Sequence, residues 1–223
     1  MHVRPPKKFH PFPFEYHQEI EIPIDSLTNL GAGVGRMDGW VVFVPFSLPG
    51  ETVKARVYRN DKNCSHADLL EVLTPSPDRV QPPCPLFGNC GGCQYQHLAY
   101  DKQLEWKTRQ VGELMRHMAG IEFPVNPCLS TEQIWHYRSK ITPHFDKPRN
   151  GEVGEIGFLA QGQRSRLVDV PQCLIAMDAI NEALPRIRAD VRAKAHTFKR
   201  GSTILMRATE GRGETDFKAT ATE

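Results

Sequence analysis

EIEIPIDSLTNLGAGVGRMDGWVVFVPFSLPGETVKARVYR (Glu19–Arg59) is the stretch whose reading decides the fold. Its first nine residues alternate charged and apolar side chains, GWVVFVPFSL is a β-prone apolar run, and ETVKARVYR alternates again. A shorter run, LLEVL, follows at Leu69–Leu73. Period-two alternation marks a strand with one buried face. Four or five short strands in close succession predict a small closed barrel. Within it, LPGE puts Pro49 and Gly50 where a type II turn needs a fixed φ followed by a positive one. GAGVGR (Gly31–Arg36) superficially matches a nucleotide-binding glycine loop, but a β-prone run rather than a helix follows it. No helix N-terminus is there for a phosphate, so a barrel turn is the better reading.

Outward from this stretch, residues 1–17 carry four prolines among basic side chains and are expected to be a disordered tail. The barrel is expected over residues 18–74. Pro75–Cys84 (PSPDRVQPPC) again holds four prolines without periodicity, so 75–83 reads as a linker. Residues 84–223 read as a second, α+β domain. In it YDKQLEWKTRQVGELMRHMAG predicts an amphipathic helix with Leu104, Val111, Leu114, Met115 and Met118 at helical spacing and Gly120 as the C-terminal cap. IWHYRSKITPHF predicts one strand with Trp135, Tyr137 and Ile141 on the core side and His136, Arg138 and Lys140 on a basic side. GEIGFLAQGQRSRLVDV predicts two strands joined by a glycine turn. DAINEALPRIRADVRAKA predicts helix, interrupted or restarted at Pro185, and GSTILMRATEG a last strand.

Composition narrows the function classes. With 28 Lys and Arg against 26 Asp and Glu in 223 residues, the formal charge is +2, so affinity for nucleic acid has to come from local patches. There is no long apolar run and no apolar signal segment at the start, and a cytoplasmic monomer without a membrane partner is expected. Six cysteines are too sparse for a disulfide scaffold.

Three of those cysteines, Cys84, Cys90 and Cys93, form C-x5-C-x2-C in CPLFGNCGGCQYQHL, and Cys173 follows the strand RLVDVPQ. Thiolates at short spacing on an irregular loop converge on one centre, with a fourth brought in by the fold. Gly91 and Gly92 suit such a loop because backbone without Cβ atoms wraps tightly and aims amide hydrogens at sulfur. Spacing alone leaves three readings: a [4Fe-4S] cluster, structural zinc, whose ligands more often come as two close pairs, and thiols without a ligand. His97 is the sort of residue that substitutes for one ligand but is more often outside the site. Cys64 and Cys128 read as incidental thiols.

The barrel signature LTNLGAGVGRMDGWVVFVPFSLPGE, the segment PSPDRVQPPCPLFGNCGGCQYQHLAYDKQLEWK, the tetrapeptide YRSK and the run GFLAQGQRSRLVDVPQC occur in one order. That order resembles the TRAM-containing, iron-sulfur 23S rRNA (uracil-5-)-methyltransferases, from about residue 19 onward. The resemblance implies an OB-like TRAM barrel that binds RNA, an α+β central domain, and a [4Fe-4S] cluster on Cys84, Cys90, Cys93 and Cys173. Four cysteines leave no open iron, so the implied role of the cluster is structural or RNA-positioning. Ser139 stands where the family often has asparagine in YRNK. The C-x3-C-x2-C triad of the radical methylthiotransferases is absent.

In that family a Rossmann-like domain binds S-adenosylmethionine, a cysteine adds to C6 of uracil, and a carboxylate later removes the C5 proton. These parts belong beyond the last strand read here. The expectation is therefore a mainly β and α+β chain from which the Rossmann-like methyltransferase domain is absent, inactive alone, with S-adenosylmethionine entering only through the missing domain. The implied partner is large-subunit ribosomal RNA. Two other readings are a stand-alone RNA-binding protein and a zinc-binding structural protein. Arg138 with Lys140, and Arg164 with Arg166, are the candidate phosphate contacts, although a solvated face fits each residue equally well.

Overall fold

The protein is described by a computed structural model covering residues 4–163, 165–211 and 214–222. The chain divides into two compact units, residues 1–83 with 94–130, and residues 84–93 with 131–223. This differs from the expected single cut before Cys84. The cysteine loop leaves the first unit alone, and residues 94–130 return to it.

In the first unit, β1 (Glu19–Leu27), β2 (Ala32–Met37), β3 (Trp40–Pro45), β4 (Thr52–Asn60) and β5 (Cys64–Thr74) close into a barrel in the order β1-β2-β3-β5-β4. β3 and β5 run parallel and the other pairs antiparallel. The alternation read from the sequence is the barrel's inside and outside. Ile20, Ile22 and Ile24 point in with Val42, Val44, Val53, Ala55 and Val57. Burial of each isoleucine or valine contributes about 1.5–3 kcal/mol. Gly35 lets β1 and β2 approach, since a Cβ there would lie 2.6 Å from the Pro23 carbonyl. The Pro49-Gly50 turn is as expected: Gly50 has φ 85° and the Glu51 amide donates to the Leu48 carbonyl at 3.2 Å.

The proline-rich segments on either side are tied down by side chains. Asn60 donates through Nδ2 to the carbonyls of His10 and Phe14, each at 2.7 Å, and Phe14 is buried, so this part of the expected disordered tail lies on the barrel. Glu51, fully buried, accepts from Arg79 Nε at 2.5 Å and Arg79 Nη2 at 2.8 Å, and also from the Leu48 and Ser76 amides. Arg79 donates as well to the Phe46 carbonyl at 2.8 Å. The expected linker is thus bound to the barrel by a charge pair. Burial alone would raise the Glu51 pKa, but Arg79 and the two amides hold it below the usual carboxylate range.

α1 (Tyr100–Ala119) ends on Gly120 at φ 66°, as expected. Its buried side is not the apolar one. Val111 and Leu114 are exposed, Met118 is 82% exposed, and the buried residue is Gln110, which donates to the Thr28 carbonyl at 2.9 Å. Gln103 caps the carbonyls of Tyr95 and Leu98, and Trp106 packs on Leu27, Leu48 and Leu98. Polar bonds to irregular backbone orient this helix, and hydrophobic periodicity carries no signal of those.

The second unit is a sheet in the order β11-β10-β7-β8-β9, with β6 also paired to β10. Its strands are β6 (Lys140–Ile141), β7 (His144–Phe145), β8 (Ile156–Leu159), β9 (Leu167–Asp169), β10 (Ser202–Gly211) and β11 (Glu214–Thr222). The strand expected over IWHYRSKITPHF is two short pieces. Pro143 lacks an amide for the ladder, and His136 sits at φ 56°. Trp135 is only half-buried and Tyr137 is 53% exposed, so neither is the core residue expected; Ile141 is. α2 (Asp178–Ala193) runs through Pro185 unbroken. An internal proline costs about 3 kcal/mol. Burial of Ile180, Leu184 and Val191, with Arg188 bound to the Ile156 and Val170 carbonyls and to Asp169, offsets it. No helix among the described residues is long and apolar enough to cross a membrane.

His97 in the first unit is buried beside Phe46, and burial, with Arg79 adding to it, brings its pKa down to about 4. Below pH 6.5 the unfolded chain binds a proton here that the folded chain refuses until about 4. Stability is therefore expected to fall by about 3 kcal/mol as pH drops through that window. Denaturant titrations at stepped pH should show this loss, and His97→Gln should remove it.

Candidate metal centre

The loop bearing three of the cysteines is shaped by its own turns. Phe87 donates to the Cys84 carbonyl at 3.1 Å, and Asn89 and Cys90 both donate to the Leu86 carbonyl, at 3.1 and 2.8 Å. It is then stitched to the end of β8. The Gly91 amide donates to the Leu159 carbonyl at 2.9 Å, Gln161 donates to the Asn89 carbonyl at 2.8 Å, and Cys90 bridges Ala160. A Cβ on Gly91 would stand 2.9 Å from the Leu159 carbonyl oxygen, so glycine is required for that approach.

β8 and β9 form the expected hairpin, and the chain leaving β9 delivers Cys173. Asn181 of α2 fixes it from both sides, accepting from the Cys173 amide at 3.0 Å and donating to the Cys173 and Ala176 carbonyls at 3.0 and 3.1 Å. Cys90, Cys173 and Leu86 pack on one apolar cluster of Ala160, Val168 and Val170. Burial pushes the Cys90 thiol pKa up, the Gly92 amide aimed at its sulfur opposes this, and nearby Cys173 and Cys84 push it up again. A nearby cation would favour the charged form of the Cys90 thiol. Among the described residues, no three of these four thiols lie within 4.8 Å of one another. One tetrahedral zinc, with Zn–S near 2.3 Å, holds thiolates about 3.8 Å apart. His97 belongs to the first unit, whereas the four cysteines belong to the second.

The basic residues divide. The His136–Arg138 segment pairs with the chain just after Cys173: His136 donates to the Leu174 carbonyl at 2.9 Å and Arg138 to the Ile175 carbonyl at 2.7 Å. Arg138 and Lys140 are both exposed along a groove lined by Tyr137, Arg138, Ser139 and Phe158. A second groove shares Ser139 and Lys140 and adds Met177, Arg207 and Thr209. Arg207 faces Lys140 in the β6–β10 register and was missed in the sequence. Its only signal there is a lone cation in an alternating strand. Arg166 donates to the Asn89 side chain at 2.8 Å and so braces the cysteine loop. Arg164 lies outside the described residues.

Gly91→Ala should push the cysteine loop off β8 while leaving the barrel intact. Hydrogen exchange should show faster exchange at Cys90 and Gln161 and unchanged protection in β1–β5, with about 1–3 kcal/mol lost from the second unit.

Residues 14–70 match the TRAM domain family model. A tRNA (uracil(54)-C(5))-methyltransferase from Schizosaccharomyces pombe is 45% identical over 205 residues, covering 87% of this chain and 39% of the relative. A 23S rRNA (uracil(1939)-C(5))-methyltransferase from Shewanella amazonensis is 36% identical over 169 residues, covering 75% of this chain and 38% of the relative. In fold, the chain is similar to the crystal structure of Pyrococcus abyssi tRNA (uracil-54, C5)-methyltransferase in complex with S-adenosyl-L-homocysteine. That match has a TM-score of 0.60 and 24% identity, and covers 91% of this chain and 46% of the other. The chain thus spans less than half the length of the relatives it matches. This corrects the fold-class expectation: the OB-like barrel is present, but the claim that a methyltransferase domain is absent does not stand. Nearly the whole chain matches a part of longer enzymes, and its last residue is no evidence that a domain is lacking. The chain belongs to the TRAM-containing RNA uracil-C5 methyltransferases.

Proposed function

We propose that this chain is the RNA-binding and metal-carrying portion of an S-adenosylmethionine-dependent RNA uracil-C5 methyltransferase. The observation that carries this reading is the 45% identity to the tRNA enzyme over 205 residues, which takes in the barrel and the cysteine-bearing unit together. The higher identity to that relative than to the ribosomal one, 45% against 36%, favours a transfer-RNA uridine over the large-subunit RNA expected from the resemblance. A uracil in folded RNA has to be extruded before C5 and C6 are reachable, so surfaces that hold the remodelled strand are part of the work. The barrel and the Arg138, Lys140 and Arg207 face supply two such surfaces.

Cys84, Cys90, Cys93 and Cys173 would hold a [4Fe-4S] cluster. Support comes from the packing of Cys90 and Cys173 on one apolar cluster and from the Gly92 amide directed at Cys90. The cluster would supply a rigid cross-link between the cysteine loop and the chain entering α2. Through the His136–Arg138 pairing it would also hold the basic groove in register.

Three measurements test this. Methyl transfer from labelled S-adenosylmethionine by the complete protein should label a transfer-RNA transcript and fail when the target uridine is changed to cytidine. Labelling of a 23S fragment alone would restore the ribosomal assignment, and labelling of neither would sink the activity. Anaerobic purification should yield iron and acid-labile sulfide, both reduced as far by Cys173→Ser as by Cys90→Ser. Stoichiometric zinc without sulfide would replace the cluster by zinc. Reversing charge at Arg138 and Lys140 together should lower the salt dependence of RNA binding by about one unit of slope for each phosphate that is no longer neutralised.

A further inference from the structure

A second group of metal-ligating side chains lies in the barrel unit, at the turn between β4 and β5. A carboxylate oxygen of Asp61, Cys64 Sγ and a ring nitrogen of His66 all lie within 4.8 Å of one another. The backbone presets this arrangement. Asn60 pairs with Ser65 and Arg59 with His66, and the Asp61 amide donates to the Cys64 carbonyl at 2.8 Å. Cys64 and His66 alternate around buried Ser65 and therefore share the outer face. Ser65 is itself locked, donating to Asn60 Oδ1 at 2.7 Å and accepting from Trp40 Nε1 at 2.9 Å. The His66 ring lies 5.4 Å from the Phe43 ring and 6.2 Å from the Tyr58 ring.

We propose that Asp61, Cys64 and His66 form a binding site for a divalent cation of the zinc class. Zinc accepts a sulfur and an imidazole nitrogen beside a carboxylate oxygen, whereas magnesium and calcium take the oxygen but disfavour the other two. Tetrahedral zinc wants such donors roughly 3.3–3.8 Å apart. His66 Nε2 and Asp61 Oδ2 are already at 3.1 Å, and small rotations of half-exposed side chains bring in the sulfur. A fourth position is left for water. The spot already selects positive charge: Arg59 donates to Asp61 at 2.9 Å through Nε and 2.5 Å through Nη2. This two-point pair competes with zinc for the carboxylate, and at a half-exposed position it is weaker than a buried one. The Cys64 thiol, whose pKa is raised by burial and then by Asp61, would lose its proton to solvent as the metal binds.

The test uses the complete protein stripped of metal and loaded with zinc alone, then with 113Cd for NMR. A cadmium resonance of the one-sulfur type, separate from any four-thiolate resonance, is expected. It should vanish in Cys64→Ser and in His66→Gln, each weakening zinc at this site at least tenfold with an unchanged barrel melting transition in the metal-free form. Arg59→Gln, which removes the competing cation, should tighten zinc binding by up to about fivefold. Zinc or cadmium held only by four thiolates would overturn the proposal. So would a one-sulfur signal that survives His66→Gln, since a lone thiol would then explain it. The site does not rest on the methyltransferase reading, and either can fail alone.

Discussion

The second unit depends on one constraint: a loop with three cysteines has to be held where a cysteine from far along the chain can join it. Backbone does this. The Gly91 amide on the Leu159 carbonyl and the Cys90–Ala160 bridge make the loop an addition to the end of β8. β9, antiparallel to β8, then carries the chain to Cys173. Arg166 and Asn181 brace the two halves from opposite ends. Backbone pairing thus brings the loop and Cys173 onto one apolar cluster, at positions the sheet sets in advance.

In the first unit a single buried carboxylate has a comparable organising role. Glu51 follows the type II turn, so its position is set by the barrel. Its charge requires partners, and it finds them in Leu48, Ser76 and Arg79. A proline-rich stretch that has no periodicity of its own is thereby given one conformation against the barrel. The same logic places α1, where Gln103 and Gln110 satisfy carbonyls that irregular backbone leaves open.

Much of this was legible in the residues. Strict alternation in β1 and β4, the Pro49-Gly50 turn, Gly120 as a cap and the β8–β9 hairpin each rest on local physics and appear where expected. Other features were not legible because their causes are non-local. Tyr137 and Trp135 look like core residues by period, yet Pro143 and the positive φ of His136 deny the segment a continuous ladder. The apolar stripe of α1 promised a buried face, whereas amides decide which side packs. The hydrogen bond from Arg166 to Asn89 and the register that sets Arg207 opposite Lys140 join residues far apart in the chain.

By itself the sequence determined the barrel, because alternation and turn chemistry act over a few residues, and it determined the family, because four motifs occur in one order. Only the tertiary structure decided which residues meet. It returned residues 94–130 to the first unit, paired the Arg138 segment with the chain after Cys173, and gathered Asp61, Cys64 and His66 at one turn. Hydrogen bonds between distant backbone segments and the register of a sheet are properties of the closed chain, and no short stretch of residues encodes them.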